Sequence, residues 1–253
     1  DQKKLVTFIT GGDPDFETSN KIIEILIKNN VDIIEIGMPF SDPMADGPTI
    51  QLSSNRALNN NIDLDNIFQL VANAKNLKNN LPIILMGYYN VILNYGIDDF
   101  VKNCVINGVN GLIIVDLQPE EDTDLLIELK KNNIDLIRLV APTTDEVRLK
   151  LILKNASGFL YFVSVMGTTG QKSANIEELE QSVKFIREHS NLPVVPGFGI
   201  KGPEDVSKIC KIADGAVVGS SIIKIIEKNL DKKKIIFEKI EDFTKKLKQG
   251  TYS

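Results

Sequence analysis

The sequence predicts an α/β protein whose strands close into one parallel barrel. Three features support this: eight short apolar runs recur along the chain, amphipathic stretches of helical period separate them, and no linker interrupts the pattern. Strands that alternate with helices indicate a parallel sheet with right-handed crossovers. Eight such units in 253 residues suit a (β/α)8 TIM barrel, and we expect residues 1–253 to form a single domain.

The predicted strands are the apolar runs themselves, because each is short and ends at a turn or a polar stretch. In chain order they are residues 5–9, 32–36, 83–86, 111–115, 136–139, 159–163, 193–195 and 215–218. The longest irregular segments follow the second and sixth of these strands, at residues 37–63 and 164–175. Loops at the carboxyl ends of barrel strands carry the chemistry of such enzymes, and we predict that the second segment is a mobile lid.

The predicted helices have apolar residues at helical spacing. In chain order they are residues 17–28, 64–74, 98–106, 120–131, 145–153, 176–188 and 203–211. A short extra helix at 221–228 and a longer one at 233–248 follow the eighth strand. An open, doubly wound sheet is the alternative fold for the same alternation of strands and helices.

The composition excludes several classes of protein. Hydrophobic residues make up 43% and charged residues 25% of the chain, which are ordinary values for a folded globular protein. No apolar run approaches the roughly 20 residues that span a bilayer, so we expect no membrane segment. A formal net charge of −5 and a pI near 5.1 argue against nucleic acid as the main ligand.

The chain has few residues that could serve as metal ligands or nucleophiles. Its two cysteines, Cys104 and Cys210, lie far apart in apolar stretches, so we predict buried, reduced thiols and a reducing compartment. One histidine, His189, cannot complete a common zinc site with them, nor does it suit a Ser–His–Asp system. Acid–base chemistry is therefore expected from carboxylates, tyrosine or lysine.

Glycine-rich turns end the last two predicted strands. Gly197 and Gly199 follow the seventh strand, and Gly219 and Ser220 follow the eighth, where the extra helix begins. Glycine lets backbone N–H groups approach a ligand closely, and a helix N-terminus offers the positive end of its dipole. These two loops often bind phosphate in such barrels, so we predict a phosphate site. The alternative is that the glycines only form tight turns.

Three residues are candidates for acid–base chemistry. Glu35 lies inside the second apolar strand, where burial would raise its pKa toward neutrality, although it could instead be a structural partner of a Lys or Arg. Asp46 lies in the following loop and could either meet a ligand or cap a turn. Tyr161, in the sixth strand, is either a core residue or a ligand contact.

One long segment of the chain resembles a known family. Residues 35–51, EIGMPFSDPMADGPTIQ, are similar to the signature of the tryptophan synthase alpha subunit family. Further family-like segments are residues 8–14, 88–90, 116–121, 141–144, 161–164, 167–170, 197–200 and 214–220. The resemblance covers about residues 5 to 230.

The resemblance implies a TIM barrel that cleaves indole-3-glycerol phosphate to indole and D-glyceraldehyde 3-phosphate. It also implies an α2β2 heterotetramer, in which a tryptophan synthase beta subunit receives indole through a tunnel. Pyridoxal phosphate is expected only in that beta partner, which joins indole to serine. No cofactor or metal is expected in this chain.

The resemblance assigns roles to individual residues. It implies that Glu35 is the general acid–base residue, that Asp46 accepts the indole N–H, and that Tyr161 lies near the same substrate carbon. The implied phosphate contacts are Gly170, Gly199, Gly219 and Ser220. The residues implied to pack on the indole ring are Phe8 and Phe198, and the implied lid residue, which meets the Asp46 loop on closure, is Thr169. The implied contacts with the beta subunit are Phe40, Asp42, Pro43, Asn90 and Asn94.

The chain departs from the family pattern at a few positions. Val165 and Thr168 alter the lid segment, and Gln118 replaces a frequent proline near the expected beta-subunit contact. Only four residues precede Leu5, where the family usually has a short helix, so we expect the native chain to extend before Asp1.

Three other functions fit parts of the sequence. A free-standing lyase would release indole by the same chemistry, and an idle subunit would only activate a beta partner, which the intact Glu35 and Asp46 argue against. Another phosphate-binding barrel, such as a sugar-phosphate isomerase, would not explain the loop after the second strand. The Lys-, Asn- and Ile-rich composition suggests an AT-rich genome, so we expect the cytoplasm or a plastid stroma.

Overall fold

The computed structural model describes residues 2–163, 172–197 and 199–252. All strand pairings within these ranges are parallel. The strands are β1 (Lys4–Thr10), β2 (Ile33–Gly37), β3 (Ile83–Gly87), β4 (Gly111–Ile114), β5 (Asp135–Leu136), β6 (Arg138–Val140), β7 (Leu160–Val163), β8 (Val194–Gly197) and β9 (Gly215–Val218).

Helices follow the strands along the described part of the chain. They are α1 (Phe16–Lys28), α2 (Pro48–Asn59), α3 (Leu64–Leu77), α4 (Tyr89–Tyr95), α5 (Ile97–Asn107), α6 (Thr123–Lys131), α7 (Glu146–Leu153), α8 (Lys172–Arg187), α9 (Pro203–Cys210), α10 (Ser220–Glu227) and α11 (Lys233–Gly250). The predicted extra helix after the last strand is present as α10.

The strands form two hydrogen-bonded ladders. One has the order β5-β4-β3-β2-β1-β9, and the other has the order β6-β7-β8. The fifth predicted strand belongs to both, because it divides into β5, which pairs with β4, and β6, which pairs with β7. Between the halves, the backbone N–H of Ile137 still donates to the carbonyl of Leu112 at 2.9 Å. The nine strands therefore correspond to the eight predicted ones.

A single aspartate joins the two ladders at their other ends, between β8 and β9. The backbone N–H of Asp214, just before β9, donates to the carbonyl of Val194 in β8 at 3.0 Å. The Asp214 carboxylate accepts a hydrogen bond from the Val194 N–H at 2.9 Å and another from Arg187 at 2.9 Å. We call this contact the Asp214 seam. With it, the strands complete a circuit from β9 through β1 and on to β8.

The strands are buried on both faces, because one face of each strand points into the barrel interior and the other packs against the helices. All residues of β3, β8 and β9 are buried. The helices cover the strands with one apolar face each, as in α1, where Ile22, Ile23 and Leu26 are buried. Cys104 and Cys210 are free, buried thiols, as the sequence predicts.

The prediction of an irregular segment over residues 37–63 is wrong in its second half. Helix α2 begins at Pro48, because proline suits the first turn of a helix, where its missing N–H is not needed. Gly47 precedes it without a side-chain cap, so the usual N-terminal signal is absent. The sequence also fails to predict helix α4. Its N-terminal residue Tyr88 provides no side-chain cap, so the usual signal for a helix start is again absent.

Candidate active site

A cavity of about 210 Å³ opens at the carboxyl ends of the strands. The residues that line it come from both ladders and from the loops after β2, β8 and β9. They are Phe8, Glu35, Asp46, Ile50, Met86, Tyr161, Gly199, Ile200, Lys201, Val217, Gly219, Ser220, Ser221 and Lys224. The structure thus brings together the acid–base and the phosphate-binding candidates among its described residues.

Glu35 is the most unusual side chain of this cavity. It is fully buried, at 0% exposure, in the middle of β2, between Phe8 of β1 and Ile84 of β3 in the ladder register. Within the described part of the chain, neither of its carboxyl oxygens has a hydrogen-bond partner. Burial, together with the nearby charge of Asp46, raises the pKa of Glu35 to about 8. The group can therefore both donate and accept a proton near neutral pH.

Asp46 is held at the cavity mouth by a tyrosine. The Tyr88 hydroxyl donates to the Asp46 carboxylate at 3.0 Å and accepts the Ala45 N–H at 3.0 Å. The Gln51 amide donates to the Asp46 carbonyl at 2.8 Å. Burial raises the pKa of Asp46, and the Tyr88 hydrogen bond partly offsets this rise. The sequence analysis did not assign Tyr88 a role, although the residue belongs to one of the family-like segments.

Tyr161 lies in β7, across the cavity from the loop after β2. It is buried, and its pKa is raised well above the usual value by burial and by the charges of Glu35 and Asp46. Gly197, at the end of β8, makes room for it, because a Cβ atom there would lie 2.1 Å from the Tyr161 hydroxyl oxygen. The phenol therefore stays protonated beside the two carboxyl groups.

Gly199, Gly219 and Ser220 form the side of the cavity that we call the phosphate subsite. Gly199 has a φ of 73°, a left-handed conformation that favours glycine. Gly219 directly precedes α10, and Ser220 begins it, so the free N–H groups of the helix N-terminus lie at the cavity wall. Such an end attracts an anion such as phosphate.

Several predicted site residues cannot be located in this cavity. Gly170, Thr169 and Phe198 lie outside the described residues, as do Val165 and Thr168, which we expected to alter the lid. Phe8 lines the cavity and is 8% exposed, which leaves one part of its ring available to a ligand.

The predicted partner contacts lie around the same mouth. Asp42, Asn90 and Asn94 are exposed. Phe40 is half-buried, with its ring 5.1 Å from the Tyr88 ring, whereas Pro43 is buried. Two apolar residues beside them, which sequence reasoning missed, are exposed: Met44 at 87% and Leu93 at 51%. The rim therefore combines polar groups with exposed apolar side chains.

The described residues contain no cluster of three or more His, Cys, Asp or Glu side chains that could hold a metal ion. In the same part of the chain, no helix is both long and apolar enough to cross a membrane.

Comparison with known proteins assigns the fold and the site to one family. The family model described as the tryptophan synthase alpha chain matches residues 1–252. The chain belongs to the tryptophan synthase alpha chain family. The tryptophan synthase alpha chain of Petrotoga mobilis is 48% identical to it over 246 residues, which cover 97% of this chain and 95% of that protein.

Solved structures of this family have the same fold. Tryptophan synthase subunit alpha from Legionella pneumophila matches with a TM-score of 0.91 at 35% identity, over 99% of this chain and 93% of that chain. The aminoacrylate-bound form of tryptophan synthase from M. tuberculosis matches with a TM-score of 0.87 at 28% identity, over 99% of this chain and 94% of that chain.

These findings confirm the predicted TIM barrel and the resemblance to the tryptophan synthase alpha chain family, and they exclude the open doubly wound sheet. As a member of the family, the chain has the role of an alpha subunit in tryptophan biosynthesis. Its reaction is the lyase cleavage of indole-3-glycerol phosphate, and membership implies a beta subunit as its partner.

Proposed function

We propose that Glu35, Asp46 and Tyr161 catalyse the cleavage of indole-3-glycerol phosphate to indole and D-glyceraldehyde 3-phosphate in the cavity described above. The observation that carries this proposal is the state of Glu35. It is a fully buried carboxyl group with a pKa of about 8, it has no hydrogen-bond partner among the described residues, and it lines the cavity. A group in this state is protonated at neutral pH and can give its proton to a bound substrate.

The first step is proton transfer to the indole ring. The carboxyl group of Glu35 donates its proton to ring carbon C3, which gives the ring a positive charge. Asp46 accepts a hydrogen bond from the indole N–H and stabilises this charge, since a fixed carboxylate in a partly buried site acts more strongly than in water. Tyr88 keeps the Asp46 carboxylate in place through its hydroxyl.

The second step is cleavage of the carbon–carbon bond. The Glu35 carboxylate left by the first step takes the proton of the adjacent glycerol hydroxyl. The electrons of the O–H bond form the aldehyde carbonyl, and those of the C–C bond return to the indole ring. Glu35 ends in its acid form, so the enzyme is regenerated with no net gain or loss of protons. Tyr161, a buried phenol beside Glu35, borders the same reacting carbon.

The remaining contacts orient the substrate. Gly199, Gly219 and Ser220 hold the phosphate through backbone N–H groups and the N-terminus of α10. Phe8 packs on the indole ring from the β1 side. Gly170, Phe198 and Thr169 complete the site in this proposal, with Thr169 acting when the lid closes; these three assignments rest on the family resemblance alone.

The assembly is an α2β2 tetramer in which the beta subunit covers the cavity mouth. The side chains of Met44 and Leu93 are exposed beside the polar residues Asp42, Asn90 and Asn94. Covering such apolar side chains with a partner is favourable, so this rim supports an alpha subunit docked to a beta subunit over a free-standing lyase. Acid–base side chains suffice for the alpha reaction, so this chain needs no cofactor of its own. A cytoplasmic location matches the bacterial relatives, and the plastid stroma remains the alternative.

The test is indole release from indole-3-glycerol phosphate by the purified chain, with and without a tryptophan synthase beta subunit. We expect slow release alone and a many-fold increase with the partner. Glu35→Gln should lower kcat at least about 100-fold while inorganic phosphate still binds. Glu17→Gln, on the exposed face of α1, is the matched control. If Glu35→Gln turns over near the wild-type rate, the proton-transfer role of Glu35 is rejected. If the rate of indole release is the same with and without the beta subunit, the free-standing lyase is favoured.

A further inference from the structure

Two lysines border the phosphate subsite. Lys201 follows β8, Lys224 lies in α10, and both line the cavity beside Gly199 and Ser220. Both side chains are exposed. Across residues 2–163, 172–197 and 199–252, neither ammonium group takes part in an ion pair. Two positive charges at one end of the cavity thus lack a protein counter-ion in this part of the chain.

The geometry of α10 directs Lys224 to the phosphate subsite. Lys224 lies four residues after Ser220, so the two residues share one face of the helix. Helical side chains lean toward the N-terminus of their helix, which brings the long side chain of Lys224 back toward Ser220. Its ammonium group therefore reinforces the positive end of the helix dipole at the cavity wall.

The loop that carries Lys201 is tied to the same helix. The Ser221 hydroxyl donates to the carbonyl of Ile200 at 2.8 Å, which joins the first turn of α10 to this loop. The backbone N–H of Lys201 donates to the Asp205 carboxylate at 2.8 Å, which fixes its main chain. Both lysines therefore project into the cavity from backbone that is held in place beside the phosphate subsite.

The acidic and the basic residues of the cavity come from different segments of the barrel. Its carboxyl groups, Glu35 and Asp46, come from β2 and the loop after it, whereas Lys201 and Lys224 come from the segments after β8 and β9. A substrate with an uncharged ring and a doubly negative phosphate matches this separation in one orientation only. Reversed binding would place the phosphate beside two carboxyl groups, which repel it when they are ionised.

We infer that Lys201 and Lys224 form a cationic clamp that selects the phosphate dianion of the substrate and fixes its orientation. This inference rests on the proposed function, because it requires that the phosphate occupies the subsite formed by Gly199, Gly219 and Ser220. The lysines contribute charge at long range, while the backbone N–H groups contribute directed hydrogen bonds. The clamp acts on substrate binding and therefore on KM, and it leaves the proton transfers at Glu35 unchanged.

The test compares Lys201→Gln and Lys224→Gln with two matched controls, Lys208→Gln in α9 and Lys228→Gln at the end of α10. Both control lysines are exposed and neither lines the cavity. Binding of inorganic phosphate is measured by titration calorimetry at low and high KCl. The KM and kcat for indole-3-glycerol phosphate are measured in the complex with the beta subunit.

We expect each clamp variant to raise the Kd for phosphate and the KM about three- to tenfold at low salt, with kcat unchanged. The difference from wild type should shrink as salt rises, because the Debye length falls from about 30 Å at 0.01 M to about 8 Å at 0.15 M. Clamp variants that bind phosphate as tightly as the two controls would overturn the inference.

One further variant separates this inference from the proposed function. Ser220→Asp places a negative charge at the N-terminus of α10, inside the phosphate subsite. If Ser220→Asp loses phosphate binding while the lysine variants keep it, the clamp is rejected and the phosphate subsite stands. If Ser220→Asp also binds phosphate normally, the subsite is misplaced, and both the clamp and that part of the proposed function are rejected.

Discussion

At the scale of single residues, the site depends on a carboxyl group kept away from water and from any described hydrogen-bond donor. Glu35 lowers the stability of the fold at high pH, because its burial disfavours the charged form. The same burial prepares it to act as an acid at neutral pH. The residue is thus placed for chemistry at a cost in stability, as often occurs at active sites.

This cost predicts a pH-dependent gain of stability in Glu35→Gln. The pKa of Glu35 is about 8 in the folded protein and 4.5 in its ordinary state, so between these values the folded protein binds more protons than the unfolded chain. Stability of the wild type therefore falls as pH rises through this window. Glu35→Gln, which cannot ionise, should be more stable than the wild type above pH 8, on the order of a few kcal/mol.

Urea unfolding at a series of pH values measures this effect. The difference between Glu35→Gln and wild type should be small near pH 4.5, grow up to pH 8 and then level off. The exposed Glu17→Gln serves as the reference variant. A stability difference that does not change with pH would mean that the pKa of Glu35 is not raised.

Tyr88 is predicted to act through Asp46. Tyr88→Phe keeps the ring beside Phe40 but removes the hydrogen bond to the Asp46 carboxylate. Because this bond lowers the pKa of Asp46, its loss should raise that pKa and move the acidic limb of the kcat/KM profile to higher pH. The kcat should fall about tenfold, as expected for the loss of a hydrogen bond to a charged group. An unshifted profile, like that of the control Tyr89→Phe, would leave Tyr88 with a packing role only.

At the scale of elements, helix α2 connects the Asp46 loop to the rest of the barrel. Arg56, in α2, forms a bidentate ion pair with Asp13 in the loop after β1, at 2.7 Å and 2.8 Å. The Asp13 side chain is fully buried and that of Arg56 is 19% exposed. The Thr10 and Ser53 hydroxyls also meet at 2.5 Å. These polar contacts fix the helix that directly follows the Asp46 loop.

Arg56→Ala should destabilise the fold by about 3 kcal/mol, because it leaves the buried Asp13 carboxylate without its partner. Lys150→Ala provides the comparison, since it breaks a solvent-exposed pair with Glu146 and should cost much less. Both values are measured by urea unfolding at neutral pH. Equal costs for the two variants would show that the Arg56 pair contributes no more than a surface pair.

The sequence predicts most elements correctly because strands buried on both faces read as plain apolar runs. It fails where local signals are weak. Helix α2 has a proline in its first turn and no side-chain cap. The fifth strand divides at Ile137, and periodicity alone does not predict a break inside an apolar run. Glu35 could be singled out because an acidic residue inside such a run is rare. Tyr88 could not, since its role depends on a contact across 42 positions of the chain.

At the scale of the whole molecule, the barrel is completed at the Asp214 seam, where a side chain replaces part of a backbone ladder. The Val194 N–H is buried and its acceptor is the Asp214 carboxylate. Asp214→Ala should leave this donor unpaired and cost about 1–3 kcal/mol, whereas Asp214→Asn keeps an acceptor and should cost less. Urea unfolding and amide hydrogen exchange at Val194 measure both. If the amide of Val194 exchanges no faster in either variant than in the wild type, the seam does not depend on Asp214.

The pairing of β1 with β9 also has a consequence for synthesis on the ribosome. β1 can pair with β2 early, but its other edge must wait for residues 215–218. At about 5–20 residues per second, the ribosome needs about 10 to 40 s to translate the chain between the two strands. During that time the nascent barrel presents an open, apolar β1 edge, which other chains could pair with. Chaperone demand during translation should therefore end only when β9 has emerged.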